Sequence, residues 1–260
     1  MKIAITYICT GSYDIFWDEF YESCEKFFYP GDEKEYFVFT DAKRMFELKN
    51  PKIHVIYQQK AGWPYDTLLR FNLFCMIQDS LLQYNLCYFF NANSKLLRPF
   101  TKEVIPYPTK HLPITTSLHI LNYDDTLGET FHPERNPSSK AYVPQGTYCR
   151  AYSGGFFGGT SEAFVEMSRT LRDNIADDLR KGIIAIWHDQ SHLIRYAIDH
   201  PNYIVAKGLI ASEEFADMNC AILIYRNKAN YGGNNKLRNI TRKERVGKFL
   251  SRVKKKLFKK

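Results

Sequence analysis

The sequence predicts an α/β protein with a mostly parallel central sheet and helices on both faces. In the first half of the chain, short β-rich runs alternate with longer stretches whose apolar residues recur at helical spacing. That alternation is typical of β-α-β units, in which crossover helices cover a parallel sheet. A chain of 260 residues with 45% hydrophobic and 15% aromatic side chains can fill the core of such a domain.

The elements of the first half follow in a regular order. The predicted strands are residues 2–8, 35–40, 53–57 and 86–90. The predicted helices are residues 13–28 and 66–82. Strand 86–90 is an apolar run typical of a buried strand, and it ends in Asn91-Ala92-Asn93. Ligands of parallel sheets bind beyond the carboxyl ends of the strands, so these amides lie where a site is expected.

The second half is less regular. Residues 120–150 are rich in Pro, Asn, Ser and charged side chains, and a loop of that length in a compact domain usually carries function. The glycines of "YSGGFFGGT", residues 152–160, permit close approach of a ligand to the backbone, but they are equally typical of a bulged strand followed by a helix cap. Further helices are predicted at 160–181 and 189–199, and further strands near 203–206 and 220–225.

The last residues form a strongly basic tail. Residues 242–260 carry ten Lys or Arg and one acid, a net charge of +9, which leaves −1 of the total of +8 for residues 1–241. A nearly neutral body argues against nucleic-acid binding by that part. The tail, residues 241–260, begins with a capping box, Thr241 to Glu244, and its apolar residues recur at helical spacing among Lys and Arg. We expect a basic amphipathic helix on an anionic membrane surface; a solvated tail and a partner-binding helix are the alternatives.

The cysteine pattern and the chain start predict the compartment. None of the six cysteines occurs at CxxC spacing and several lie in apolar runs, which favours buried thiols in a reducing cytosol over disulfides or a zinc site. The opening "MKIAITYICTG" is too short and too polar for a signal peptide, and the sequence contains no run of about 18 apolar residues. We expect a cytoplasmic protein, peripheral on the inner face of the cell membrane.

The stretch "WHDQSHL", residues 187–193, gathers several chemically active side chains. His188 and His192 have the i, i+4 spacing of a zinc pair, but Gln190 stands where a metalloprotease helix needs glutamate. Sugar binding fits better, because Trp187 offers an apolar face for a sugar ring and Asp189 can accept hydrogen bonds from hydroxyl groups.

Eight blocks of sequence occur together in a fixed order between about Lys2 and Gly233. They are "YICTGSY" (7–13), "YFVFTD" (36–41), "GWPYDTLLR" (62–70), "FFNAN" (89–93), "ERNPSSKAYVP" (134–144), "YSGGFFGGT" (152–160), "WHDQSHL" (187–193) and "YRNKANYGG" (225–233). Together they resemble glycosyltransferase family 6, the group of the blood-group A and B transferases and the α-1,3-galactosyltransferases. The short chain is similar to the bacterial branch of that family.

The resemblance implies a GT-A fold and a retaining transfer of galactose or N-acetylgalactosamine (GalNAc) from a UDP donor. A single catalytic domain is expected over residues 1–240. Its UDP-binding half would be residues 1–93, and residues 94–240 would bind the acceptor and the donor sugar.

The resemblance also implies roles for individual residues. Those placed against the uridine are Tyr7, Ile8, Cys9 and Tyr13. Those placed at the donor sugar and diphosphate are Arg70, Asn91, Ala92, Asn93, Ser153, Gly154, Gly155, Asp189, Arg226 and Lys228. Those placed at the acceptor are His119, Trp187 and, by an ungapped count from Trp187, Glu213. The catalytic residues would be Gln190 and Asp189.

The Asn91-Ala92-Asn93 stretch departs from the animal members of the family, which carry Asp-x-Asp and bind manganese there. Neutral amides bring no charge to offset the desolvation of a divalent ion. Bacterial relatives with the same Asn-x-Asn are taken to work without metal, so the resemblance implies no metal and no other cofactor. Fixed cations such as Arg70, Arg226 and Lys228 would then stabilise the leaving UDP.

Position 155 bears on the choice of donor, and position 190 bears on the rate of transfer. In the family, the residues matching Ser153-Gly154-Gly155 surround the C2 substituent of the sugar. A glycine at 155 would leave room for an acetamido group, which favours UDP-GalNAc over the alternative, UDP-galactose.

Gln190 stands where family members carry a glutamate that faces the anomeric carbon. Glutamine keeps the shape without the charge, so turnover roughly 100-fold slower is expected. Three explanations stay open: a deliberate substitution that traps the donor, a natural enzyme that supports charge through Asp189 or substrate oxygens, or a catalytically silent sugar-nucleotide or glycan-binding protein.

The predicted function is therefore the α-1,3 transfer of GalNAc to a galactose that bears a fucose. The acceptor loop, residues 120–140, departs most from the family, since "LHILNYDD" lacks the usual Pro-Gly after His119. A membrane-surface scaffold in which the GT-A body is only structural is a rival of a different class.

Overall fold

The computed structural model describes residues 1–104, 107, 113–117, 132–147, 149, 152, 154–200, 204–215 and 221–241. Within these residues the strands are β1 (Lys2–Ile8), β2 (Glu33–Thr40), β3 (Ile53–Tyr57), β4 (Leu86–Asn91), β5 (Ser94–Leu96), β6 (Pro113–Ser117), β7 (Phe156–Thr160), β8 (Ile204–Ser212) and β9 (Leu223–Tyr225). The α-helices are α1 (Trp17–Phe27), α2 (Tyr65–Leu68), α3 (Arg70–Met76), α4 (Gln78–Leu81), α5 (Ser161–Arg180), α6 (Asp189–Asp199) and α7 (Gly233–Leu237).

All nine described strands belong to one sheet, in the order β3-β2-β1-β4-β7-β6-β8-β9-β5. Pairs β1–β2, β2–β3, β1–β4, β6–β8 and β8–β9 are parallel. Strand β7 runs antiparallel to β4 and β6, and β5 runs antiparallel to β9. The predicted α/β class with a mostly parallel sheet is confirmed.

Both faces of the sheet are covered by helices, as predicted. Side chains alternate along a strand, so neighbouring residues of β1 and β4 point to opposite faces. Ile5 and Tyr88 pack in one buried cluster with α1. Ala4 and Phe89 pack in a second cluster with α3, α5 and α6. Burial on both faces explains why strand 86–90 reads as an uninterrupted apolar run.

The second part of the glycine-rich stretch, residues 156–160, forms a strand that ends in a helix cap. A Cβ on Gly158 would lie 2.2 Å from Cδ1 of Tyr88, so only glycine allows that ring to cross β7. Thr160 then forms the N-cap of α5, where its side chain accepts a hydrogen bond from the backbone N–H of Ala163 (3.3 Å).

Two predicted helices of the first half have different bounds. The single helix expected over 66–82 is wrong, because the chain forms α2, α3 and α4 with breaks at Leu69 and Ile77. At both breaks the hydrogen bonds tighten to i, i+3 spacing, from Asn72 to Leu69 (3.0 Å) and from Ser80 to Ile77 (3.0 Å). The helix expected over 13–28 starts as a 3₁₀ turn, Tyr13–Phe16, and becomes α-helical only at Trp17.

In the second half, helices 160–181 and 189–199 are confirmed as α5 and α6. The strand expected near 203–206 is β8, which extends to Ser212. The strand expected near 220–225 is shorter and consists of β9, Leu223–Tyr225. Strands β5 and β6 were not predicted, because they are short and lack a clear alternation. Cys9, Cys24, Cys75 and Cys87 are buried free thiols, as expected, and Cys149 is buried as well. Among the described residues, no helix has the length and apolarity needed to cross a membrane.

Candidate active site

A cavity of about 590 Å³ opens at the carboxyl ends of β1 and β4. Ile8 and Asn91, which are paired in the register of these two strands, form part of its floor. The walls come from the end of β9, the two residues before β7, and segments 60–70, 186–190 and 228–238. Parallel strands present their carboxyl ends on one edge, which is why these distant segments meet there.

A buried ion pair lies in one wall of the cavity. Nε of Arg70 is 3.3 Å from Oδ2 of Asp189, and both side chains are nearly inaccessible to solvent. Arg70 also donates from Nη1 to the carbonyl of Gly154 (2.6 Å) and from Nε to that of Thr67 (3.1 Å). The guanidinium of Arg70, the first residue of α3, also lies 4.6 Å from the centre of the Phe89 ring on β4.

Burial perturbs both members of this pair. It raises the pKa of Asp189 to about 6, although the charge of Arg70 opposes the shift. Burial also lowers the pKa of Arg70, and the negative charge of Asp189 opposes that shift. An arginine stays charged at neutral pH, so the pair gives the cavity a carboxylate that ionises close to neutrality.

Asn91 and Asn93 are hydrogen-bonded to each other and to the C-terminal segment. Nδ2 of Asn91 donates to Oδ1 of Asn93 (2.8 Å). Nδ2 of Asn93 donates to the backbone carbonyl of Arg226 (2.8 Å), whose N–H donates back to the carbonyl of Asn93 (2.7 Å). Asn93 therefore joins the end of β4 to the segment after β9, and Asn91 lines the cavity.

The amide pair does not fit a divalent metal ion. Neither side chain carries charge, and the amide of Asn93 is engaged within the protein. The basic side chains Arg70 and Lys228 line the same cavity and would repel a cation.

Four basic side chains line the cavity, namely Lys60, Arg70, Lys228 and Arg238. Burial, together with the charges of Arg238 and Arg70, lowers the pKa of Lys228 to about 8. The guanidinium of Arg238 lies 4.3 Å from the centre of the Trp63 ring. Lys60 Nζ donates to the backbone carbonyl of Asn239 (2.7 Å). Converging cations in a partly enclosed cavity attract a group with several negative charges, such as a diphosphate.

Aromatic side chains stand at the mouth of the cavity. Trp187 is 44% exposed, and its indole N–H donates to the carbonyl of His132 (2.9 Å). Trp63 is 40% exposed, and its ring centre lies 4.5 Å from that of His188. Exposed aromatic faces beside polar groups suit the apolar face and hydroxyl rim of a sugar ring.

Gln190 lies at the start of α6, beside Asp189. Its backbone N–H donates to the carbonyl of Trp187 (3.1 Å), and Nε2 of its side chain donates to the carbonyl of Tyr152 (2.6 Å). The residue before α6, His188, has a φ of 56°. This unusual backbone turns the chain so that residues 187 and 188 face the mouth while Asp189 and Gln190 face the interior.

The two histidines weighed as a zinc pair do not converge. His188 precedes α6 and lines the cavity, whereas His192 is buried and lies 3.6 Å from the carboxylate of Asp178 on α5. The i, i+4 geometry requires both residues to lie within one helix, and the backbone turn at His188 prevents it.

Several predicted site residues line the cavity together: Ile8, Tyr13, Arg70, Asn91, Ala92, Gly154, Gly155, Trp187, Asp189, Gln190 and Lys228. Tyr7 and Cys9 do not, because both side chains are fully buried in the core. The Tyr7 hydroxyl instead donates to the carbonyl of Ala92 (2.6 Å). Residues 7 and 9 point to the same face of β1 and Ile8 to the other, so only Ile8 reaches the cavity.

Arg226 and Glu213 also lie outside the cavity lining. Nε of Arg226 is 2.7 Å from the carboxylate of Glu213, which also accepts from the N–H of Asn227 (2.6 Å). Arg226 further contacts Glu19 and the hydroxyl of Tyr231. Their mutual attraction fixes the C-terminal segment and leaves neither charge directed at a ligand. His119 and Ser153 lie outside the described residues.

The space over Gly155 is filled by Tyr225. A Cβ on Gly155 would lie 2.6 Å from the Tyr225 hydroxyl oxygen and 2.8 Å from Cζ. Glycine at this position therefore accommodates the tyrosine ring, and the room expected there for a sugar substituent is occupied. Gly154 faces the acidic wall instead, since a Cβ there would lie 3.5 Å from Oδ2 of Asp189.

Sequence reasoning missed Lys60, Trp63, Tyr225 and Arg238 as cavity residues. Trp63 and Tyr225 belong to two of the blocks that carry the resemblance, 62–70 and 225–233, so the sequence did contain a signal for them. Lys60 and Arg238 lie outside the blocks that carry the resemblance. Only the return of the C-terminal segment across the strand ends brings them to the cavity.

Comparison with known proteins agrees with this geometry. The sequence model of the family "Glycosyltransferase family 6" matches residues 1–222. The O-antigen biosynthesis glycosyltransferase WbnI of Escherichia coli is 32% identical over 231 residues, which cover 88% of this chain and 95% of that protein.

Two vertebrate proteins are also similar. Histo-blood group ABO system transferase 1 of Rattus norvegicus is 25% identical over 205 residues, 76% of this chain and 57% of that protein. Globoside alpha-1,3-N-acetylgalactosaminyltransferase 1 of Gallus gallus is 27% identical over 222 residues, 77% of this chain and 58% of that protein. The chain thus spans nearly all of the bacterial relative and little more than half of the vertebrate ones.

The mostly parallel sheet with helices on both faces is consistent with a GT-A-like glycosyltransferase fold. Membership of the family implies a nucleotide-sugar donor and a glycan acceptor, and the cavity offers cations for the first and aromatic faces for the second. On the match over residues 1–222 and the likeness to the bacterial relative, this chain is a hexosyltransferase that belongs to glycosyltransferase family 6.

Proposed function

We propose that the chain transfers GalNAc from UDP-GalNAc, with retention and in α-1,3 linkage, to the galactose of a fucosylated oligosaccharide, without a metal ion. The observation that carries this proposal is the meeting of four basic side chains with the buried carboxylate of Asp189 in one cavity at the strand ends. Transfer of galactose from UDP-galactose is the alternative.

The metal-free part of the proposal is supported by the charges on the cavity wall. In a metal-dependent transferase, a divalent ion offsets the negative charge that develops on the leaving diphosphate. Here Lys60, Lys228 and Arg238 would perform that task as fixed, partly desolvated cations. Their positions are set before the donor binds, so little reorganisation is needed as the bond to the sugar breaks.

The sugar-binding part rests on the ion pair of Arg70 and Asp189. An ionised Asp189 accepts hydrogen bonds from sugar hydroxyl groups, and Arg70 holds its carboxylate in one orientation. Tyr225 fills the space over Gly155, and its hydroxyl group would offer a hydrogen bond to the acetamido group of GalNAc. The relative named as an N-acetylgalactosaminyltransferase also favours this donor.

The acceptor part rests on the aromatic mouth of the cavity. Trp187 and Trp63 would stack on the rings of an oligosaccharide, leaving its hydroxyl groups to the polar rim. The choice of a fucosylated galactose follows the similarity to a histo-blood group transferase.

The test is the release of UDP from UDP-GalNAc and from UDP-galactose with 2′-fucosyllactose as acceptor, each in excess EDTA and with added manganese. We expect turnover with UDP-GalNAc that EDTA does not reduce and manganese does not raise. Faster release of UDP from UDP-galactose would identify UDP-galactose as the donor instead. Loss of turnover in EDTA would refute the metal-free mechanism. Binding of UDP without any turnover would point to a catalytically silent binding protein.

A further inference from the structure

The side chain of Gln190 is held as an amide. Its Nε2 donates to the backbone carbonyl of Tyr152 at 2.6 Å. A carbonyl oxygen can only accept, so its partner has to be a donor. An ionised glutamate in the same rotamer would place one oxygen against another at this short distance. The contact therefore distinguishes an amide from a carboxylate, although the two groups have the same size.

The stem of Gln190 lies beside Gly154. A Cβ added to Gly154 would lie 3.4 Å from Cβ of Gln190 and 3.8 Å from its Cγ, which are ordinary van der Waals distances. With Nε2 committed to Tyr152, Oε1 is the polar atom that Gln190 presents to a ligand in the cavity.

A carboxylate already stands beside Gln190. Asp189, the preceding residue, is a buried carboxylate whose own pKa burial raises to about 6. Arg70, the buried cation of this wall, already serves Asp189 and the carbonyls of Thr67 and Gly154. The other ionisable groups that line the cavity are Tyr13, Lys60, Asp66, His188, Tyr225, Lys228 and Arg238.

We propose that this site is built for glutamine at position 190: Nε2 anchors the side chain on the Tyr152 carbonyl, and Oε1 is presented to the donor sugar. Gln190 is then a native group of an active site whose negative charge resides on Asp189. Replacing it with glutamate damages the site. The assignment of the ligand as a donor sugar rests on the proposed function, whereas the requirement for an amide rests on the Tyr152 contact alone.

The amide requirement is tested by thermal unfolding of Gln190→Glu, Gln190→Ala and wild type between pH 5 and pH 8. Glutamate can donate to the Tyr152 carbonyl only while protonated, so its pKa is raised in the folded state. Such a group contributes stability that is lost as pH rises from the unfolded value, about 4.3, through the folded value. We expect the Tm deficit of Gln190→Glu to grow with pH. That of Gln190→Ala should stay constant.

Gln145→Glu, the same chemical change at an exposed residue, is the matched control and should shift Tm little at any pH. A Gln190→Glu protein as stable as wild type at pH 8, or one with a deficit independent of pH, overturns the proposal.

The second arm measures turnover of UDP-GalNAc and UDP-galactose by the same proteins at pH 8. We expect Gln190→Glu to be slower than wild type by roughly tenfold or more, as for the loss of one well-placed polar contact. A Gln190→Glu protein that is faster than wild type would show that glutamine is a lesion, and would refute the proposal. If no protein turns over, the proposed function fails, while the unfolding data still decide the amide requirement.

Discussion

Asp189 and Lys228 are the two residues whose ionisation should set the pH range of activity. Burial raises the pKa of Asp189 to about 6, so below that pH the carboxyl is protonated and accepts fewer hydrogen bonds from a sugar. Burial lowers the pKa of Lys228 to about 8, so above that pH the amine is neutral and attracts the diphosphate less.

We therefore expect kcat/KM to rise to a maximum between about pH 6 and pH 8 and to fall on both sides. This parameter reports the pKa values of the free enzyme. The measurement is a pH profile of wild type and of Lys228→Arg, in which the charge persists to higher pH. The alkaline limb of the profile should move to higher pH in the variant. An unchanged alkaline limb would mean that another group is responsible for that ionisation.

Gly155 is expected to tolerate no side chain while Tyr225 is present. The methyl group of Gly155→Ala would overlap the phenol and cost about 1–3 kcal/mol of stability, as overpacking does. Urea denaturation of Gly155→Ala, Tyr225→Ala and the double variant would measure the coupling of the two positions. The cost of alanine at 155 should largely disappear in the Tyr225→Ala background. An equal cost in both backgrounds would contradict the overlap.

Among the elements, the C-terminal segment that follows β9 matters most for the cavity, because Lys228 and Arg238 reach the site only while it is docked. Its first residue, Arg226, is held by the side chain of Asn93 and by the carboxylate of Glu213. The site is thus closed by hydrogen bonds between the end of β4 and a segment more than 130 residues later.

Asn93→Asp is expected to loosen this segment and weaken UDP binding by about tenfold. The aspartate loses the donor to the Arg226 carbonyl and places a charge against it, a change worth about 1–3 kcal/mol. Calorimetric titration with UDP would measure the effect. Asn72→Asp makes the same change on an exposed helical position and should bind UDP like wild type. Equal UDP affinities for Asn93→Asp and Asn72→Asp would contradict the anchoring role of Asn93.

For the whole molecule, the uneven charge distribution suggests where it works. We propose that the basic tail, residues 241–260, holds an almost neutral catalytic body on an anionic membrane surface. The tail lies largely outside the described residues, and the proposal rests on its composition.

Sedimentation with phosphatidylserine vesicles would test the tail. We expect the full chain to pellet at low salt, and a chain ending at Thr241, which keeps the docked segment, to stay in solution. Salt at about 0.5 M should release the full chain, because screening shortens the reach of the charges. Phosphatidylcholine vesicles are the control for non-electrostatic adsorption. Equal pelleting of the two chains would exclude the tail as the anchor.

The fold class, helices α5 and α6, the burial of β4 and the enzyme family could all be predicted from the sequence, because each depends on a local period or a contiguous block. The sequence also pointed to Arg70, Asn91, Asp189 and Gln190, which the structure places in one cavity. It overstated the helix at 66–82 and missed β5 and β6, since short elements leave too few residues for a period to show.

Only the tertiary structure decided which side chains meet. The pairs Arg70–Asp189, Gly155–Tyr225 and Asn93–Arg226 join residues that lie 70 to 133 positions apart. It also decided that Tyr7 supports the site from the core and that Arg226 anchors the C-terminal segment. Such contacts depend on the order of strands in the sheet and on burial, and no local period in the sequence encodes either one.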